Sequence, residues 1–148
     1  MKVRKWLSLL ALLALSQVVM AGAGGDIILQ NQTPYTFKQT NVFKHCISEL
    51  ASPSLLTPGS QSTIYLEFDC DVSAELSLEY SVDCLDGQTD KFQIAVYREW
   101  PSNGHARIAV TRIGTNLHCI NLDGNDGLTW LWNEFNRPAP LIVINPAA

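Results

Sequence analysis

Two histidine–cysteine pairs, His45-Cys46 and His118-Cys119, carry the residue types best suited to chemistry. An imidazole beside a thiol can serve as a nucleophile and its base, or as half of a zinc site. Cys46 and Cys119 belong to a set of four with Cys70 and Cys84, and the short Cys-x-x-Cys spacing of zinc sites is absent. Neighbouring side chains on a strand point to opposite faces, so neither pair can converge on one ion if it lies on a strand. The expected arrangement is cysteines inward and histidines toward solvent. Behind an export signal, an even number of cysteines reads as disulfides.

The acidic groups are read in the same way. Asp123-Gly124-Asn125-Asp126-Gly127 has the composition of a calcium loop, but it lacks the later glutamate and the flanking helices of an EF-hand. It reads as a turn. Asp83, Asp86 and Asp90 gather around a second turn. Glu67 and Asp69 share a face, and the strand pattern makes it the solvated one. There is no Gly-x-Ser-x-Gly elbow, no His-Glu-x-x-His and no phosphate loop. No catalytic residue, cofactor or metal ligand is assigned. Asn31-Gln32-Thr33 is a glycosylation sequon, which matters only in a source that glycosylates asparagine.

Aromatic residues are the better lead to a binding site. Trp100 closes an apolar run just before the turn Pro101-Ser102-Asn103-Gly104, with Arg98 on the same face. Trp130 and Trp132 sit in a late apolar run. Aromatics at the ends of a β-sandwich can grip a partner, a sugar face or a lipid interface. Arg98 implies that its face has already reached solvent, so Trp100 is expected to be partly exposed.

The elements that would position these residues are strands. Between Ser62 and Cys84, Ile64, Leu66, Phe68 and Cys70 alternate with Tyr65, Glu67 and Asp69. Leu76, Leu78, Tyr80, Val82 and Cys84 then alternate with Glu75, Ser77, Glu79, Ser81 and Asp83. A period of two puts each set on one face. The short break at Asp71-Val72-Ser73 predicts a hairpin. Further strands are expected at 26–30, 35–46 with a break near Asn41, 92–100, 108–113, 117–122 and 141–144. Residues 128–135 fit either a helix or a strand, and Trp and Thr tip the reading to strand. Residues 49–62 read as a loop turning at Pro58-Gly59. Turn signals recur about every eight to twelve residues, which predicts an all-β antiparallel sandwich of about seven to nine strands, stapled by disulfides.

The hairpin constrains the disulfides. Eight strand residues at about 3.3 Å each would separate Cys70 from Cys84 by about 26 Å, whereas a bridge tolerates about 7 Å between Cα atoms. If the second strand lies beside the hairpin, Cys46 falls near the Cys84 end. This favours Cys46–Cys84 with Cys70–Cys119, and leaves Cys46–Cys70 with Cys84–Cys119 as the alternative.

Residues 1–23 read as a signal peptide: Lys2, Arg4 and Lys5, an apolar run from Trp6, then Ala21, Gly22 and Ala23. Cleavage is expected after Ala21 or Ala23, leaving one domain at 24–148. Processing takes ten basic residues to seven against fourteen acidic ones, so the net charge moves from −4 to −7. The remaining basic residues form no stripe, which argues against a nucleic-acid partner. No mature segment is apolar over the length of a membrane span.

The opening Ile-rich strand with Asn31-x-Thr33, the loop ending in Thr57-Pro58-Gly59-Ser60, and the strands reaching Tyr80 resemble the aegerolysin-type and actinoporin-like secreted sandwiches over roughly residues 26–100. That resemblance implies a small acidic β-sandwich that binds membrane lipid. The four cysteines and the signal peptide depart from that pattern, and no lipid-binding position carries over. The resulting expectation is a small secreted, non-enzymatic binding protein. Its partner would be a cell-surface protein, glycan or lipid outside the producing cell, and in a bacterium its role would be host interaction. The alternatives are an aegerolysin-like lipid-binding or pore-forming protein and a small secreted hydrolase.

Overall fold

The computed structural model describes residues 23–70, 73–99, 105–125, 128–131 and 138–148. Eleven strands form among them: β1 (Ala23–Asn31), β2 (Phe37–His45), β3 (Ile47–Ala51), β4 (Leu55–Leu56), β5 (Gln61–Phe68), β6 (Ala74–Asp83), β7 (Thr89–Arg98), β8 (His105–Ile113), β9 (Ile120–Asn121), β10 (Leu128–Leu131) and β11 (Leu141–Pro146). They make a five-stranded sheet in the order β3-β5-β1-β11-β9 and a six-stranded sheet in the order β10-β8-β7-β6-β2-β4. The two sheets pack together as a disulfide-stabilised sandwich. Residues 128–131 are strand, and 132–135 lie outside the described residues.

Alternation decides what each strand buries. Ile27, Leu29, Ile64, Leu66, Ile142 and Ile144 face inward from the first sheet. Leu76, Leu78, Tyr80, Phe92, Ile94 and Val96 meet them from the second. Each large apolar side chain removed from water contributes about 1.5–3 kcal/mol. Phe92 lies between two rings, edge-on to Phe37 at 5.4 Å and stacked on Tyr80 at 5.5 Å.

Both halves of the 62–84 stretch are amphipathic strands as expected, but they do not pair with each other. β5 lies between β3 and β1, while β6 lies between β7 and β2. The chain crosses from one sheet to the other between them. Alternation specifies which face is apolar, not which strand lies alongside. Two such faces are covered as well across a sandwich as side by side.

The same crossing corrects the disulfides. β2 runs antiparallel to β6 with His45 opposite Glu75, so Cys46 arrives at the start of β6 rather than at its end. The bridges are Cys46–Cys70 and Cys84–Cys119, with Cα separations of 5.4 and 5.7 Å. Cys46–Cys84 and Cys70–Cys119 do not form. Cys70 and Cys84, at opposite ends of β6, do go to different bridges. Cys46–Cys70 joins two sheet-to-sheet crossings, β2 to β3 and β5 to β6. Cys84–Cys119 joins the β6–β7 turn to the approach to β9 in the other sheet.

The stretch 49–62 is more ordered than its proline and serine content implied. It holds the end of β3 and all of β4, whose Leu56 is buried. Its turn lies at the expected place: Ser60 N donates to Thr57 O at 3.1 Å and Gly59 takes φ 69°. Proline followed by a residue of positive φ is the pattern of a type II turn.

Candidate functional site

Of the four sequence-predicted binding residues, Arg98 and Trp130 lie among the described residues, on β7 and β10. Arg98 is buried, with its guanidinium 4.5 Å above the Phe68 ring and Nη2 donating to the Cys70 carbonyl. The inward parity of β7 holds to its last residue, so the expectation of a solvent-facing Arg98 is corrected. Burial is tolerable because the ring face and the carbonyl replace water around the cation. Trp130 lies on β10 opposite Ala106. Trp100 and Trp132 fall outside the described residues.

Neither histidine–cysteine pair lies wholly on a strand, and the first does not split as expected: at the β2–β3 corner His45 Nε2 stands 3.6 Å from Cys46 Sγ. His45 and His118 are exposed, Cys119 is buried and Cys46 is partly buried. Among the described residues, two groups bring sulfur and carboxylate within 4.8 Å of one another: Cys46, Asp69 and Cys70, and Cys84, Asp90 and Cys119. In both, the sulfurs are bonded to each other, so neither offers the thiolate that binds a metal.

The three aspartates near the 84–88 turn are already engaged. Asp83 accepts from Thr89 Oγ1 at 3.0 Å and Asp86 accepts from Gln88 N at 2.9 Å. Asp90 is buried, and its carboxylate takes backbone N–H bonds from His118, Cys119 and Ile120, the shortest at 2.8 Å. Asn125 is also buried. Its Nδ2 donates to Leu122 O and Val143 O while Oδ1 accepts from Val143 N, so its loop is stapled to β11. Asn31 of the sequon is fully buried. Its Nδ2 donates to the carbonyls of Tyr35, Leu56 and Thr57 and its Oδ1 accepts from Thr33, which makes it a structural knot.

The outer face of the six-stranded sheet emerges instead. Four of the seven large apolar residues exposed among the described residues stand there: Phe43, Leu55, Tyr97 and Ile113. Phe43 is 51% and Tyr97 41% exposed. The row running across the sheet from Phe43 continues through Ser77, Ala95 and Ala109. Its small side chains make a shallow floor, with Glu75, Tyr97 and Arg107 on one side and Glu79, Gln93 and Thr111 on the other. Gln93 Nε2 donates to Ser77 Oγ across this floor.

Phe43 also stands on a free edge. β4 pairs only with Phe37 and Lys38 of β2, and Gln39 N reaches Ser54 O at 2.9 Å. Beyond that, residues 41–45 have no strand on the side away from β6 among the described residues. An open edge offers unpaired backbone N–H and C=O groups to a further strand. Comparison with known proteins finds no matching family model, no matching curated protein and no matching solved structure.

Proposed function

We propose that the chain is a small exported, non-enzymatic binding protein that holds an extended segment of a cell-surface protein against the open edge of β2. The observation that carries this reading is the stretch 41–45, which no described strand pairs on the side away from β6, with Phe43 half exposed on it. Backbone groups on such an edge supply affinity and neighbouring side chains supply selectivity. Tyr97 and the small floor of Ser77 and Ala95 extend the contact inward from the edge. Two disulfides joining the sheets suit a protein that works outside the cytoplasm.

The test is binding of the mature protein to a panel of cell-surface ectodomains, to a glycan array and to lipid vesicles by co-sedimentation. Phe43→Ser with Tyr97→Ser is expected to abolish ectodomain binding at an unchanged melting temperature. Binding to vesicles alone would favour the lipid reading implied by the aegerolysin resemblance. Binding to none of the three would defeat the proposal.

A further inference from the structure

We infer that Cys46–Cys70 is a thiol-exchangeable bridge, opened selectively by a dithiol reductant through attack on Cys70, while Cys84–Cys119 is closed to exchange. This does not depend on the binding role proposed above. Access separates the bridges first. Cys84 and Cys119 are 7% and 8% exposed, whereas Cys46 and Cys70 are both partly open to solvent. Thiol–disulfide exchange needs a thiolate to reach one sulfur in line with the bond.

The flanking groups then set the direction. His45 Nε2 lies 3.6 Å from Cys46 Sγ, and Asp69 Oδ1 lies 3.0 Å from Cys70 Sγ. Negative charge developing on Cys46 meets an imidazole that can donate a proton. Negative charge developing on Cys70 meets a carboxylate. The sulfur with the better-stabilised thiolate leaves faster, so Cys46 is the leaving group and Cys70 is attacked.

In the first step a thiolate of the dithiol bonds to Cys70 Sγ. The Cys46–Cys70 bond breaks, and its electron pair passes to Cys46 Sγ, which takes up a proton. In the second step the reductant's other thiolate attacks its own sulfur in the mixed disulfide and expels Cys70 as thiolate, which is protonated. The dithiol becomes a cyclic disulfide, and the protein gains two electrons and two protons.

The opened corner has somewhere to go. Cys46 is the single described non-glycine residue with positive φ, at 56°, a conformation that L residues rarely hold without restraint. Its carbonyl accepts from Asp69 N at 3.3 Å. Without the bridge, Cys46 can leave that conformation and the β2–β3 crossing loosens. Cys84–Cys119, at the far end of β6, still holds the sheets together.

The experiment is graded reduction of the intact oxidised protein with dithiothreitol under native conditions, alkylation of free thiols and peptide mapping. Cys46 and Cys70 are expected to label at least about tenfold faster than Cys84 and Cys119. All four labelling together, or Cys84 and Cys119 first, would overturn the selectivity. A monothiol is expected to be trapped as a mixed disulfide on Cys70, and trapping on Cys46 would overturn the direction. His45→Gln is expected to slow opening of Cys46–Cys70 and leave Cys84–Cys119 unaffected. An unchanged rate in that variant would remove the imidazole from the step.

Discussion

At the scale of single residues, buried polar groups are the most constrained parts of this protein. Among the described residues Asp90 accepts from the backbone N–H groups of 118–120, and both its oxygens are used as acceptors. Asp90→Asn keeps the shape but turns one oxygen into a donor pointing at donors. With hydrogen bonds to charged groups worth about 1.5–3 kcal/mol each, the variant is expected to lose about 3 kcal/mol in urea denaturation. A loss no larger than that of a surface Asp86→Asn would contradict the role assigned to Asp90. Tyr80 is the counterpart for alkaline pH. Burial pushes its phenol from 10.0 up to about 12, opposed in part by the hydrogen bond from Gln39, and its hydroxyl donates to Pro53 O at 3.0 Å. The folded state therefore holds the phenolic proton more tightly than the unfolded chain. That contribution is complete below pH 10 and is lost as pH rises toward about 12. Tyr80→Phe is expected to flatten stability across this window. At neutral pH it should cost about 1 kcal/mol for the lost hydrogen bonds. Denaturation midpoints measured at several alkaline pH values check both parts, and an unchanged slope would remove Tyr80 as the cause. None of these roles could be read from residue type. Asp90 reads as one of three aspartates at a turn, Asn31 as a sugar acceptor and Arg98 as a solvent-facing charge. In each case the deciding fact was a backbone or ring partner brought in by the fold: 118–120 for Asp90, Tyr35, Leu56 and Thr57 for Asn31, and Phe68 and Cys70 for Arg98.

At the scale of elements, long alternating strands were legible and short or interrupted ones were not. β5 through β8 bury the residues their parity assigns, Arg98 included, because a period of two survives any choice of partner. The partner itself was illegible, which is why an inter-sheet crossing read as a hairpin. β4 has two residues and offers no period at all. β2 fails for a different reason. Phe37 and Phe43 have the same sequence parity, yet Phe37 is fully buried and Phe43 is half exposed. A β-bulge between Gln39 and Asn41 inserts one residue and reverses the parity, as the expected break near Asn41 foreshadowed. The exposed aromatic at the open edge is therefore hidden within a strand whose alternation is interrupted. The register gives a test. Gln39 pairs with Tyr80 and Asn41 with Glu79, so removing Thr40 leaves a continuous ladder. Its hydroxyl bond to Glu79 O, at 3.4 Å, is the contact given up. Deletion of Thr40 is expected to cost about 1 kcal/mol, keep Phe43 outward and still deliver Cys46 to Cys70. Peptide mapping that finds Cys46 unpaired or on another cysteine would show that the bulge, not the pairing, sets the register of 41–45.

At the scale of the whole molecule, the two bridges close the sandwich at opposite ends of β6, and their energetic roles can be separated. Their sequence separations are 24 and 35 residues. On loop entropy alone, each would contribute about 3.5–4 kcal/mol, with a few tenths between them. Their surroundings differ far more. Cys84–Cys119 is buried and adjoins the Asp90 carboxylate, whose donors include Cys119 N itself. Replacing both cysteines by alanine there removes buried sulfur, opens space beside a buried charge and loosens the segment that satisfies it. Cys46–Cys70 lies at a corner partly open to water, where the same change leaves less unfilled space. The Cys84→Ala/Cys119→Ala variant is therefore expected to be less stable than Cys46→Ala/Cys70→Ala by about 1–3 kcal/mol, the cost of leaving a buried polar group unsatisfied. Urea denaturation of both variants against the intact protein measures the difference. Equal losses would mean that the bridges act through chain entropy alone. A larger loss for Cys46→Ala/Cys70→Ala would make the crossing corner, rather than the Asp90 end, the part of the molecule that holds the two sheets together.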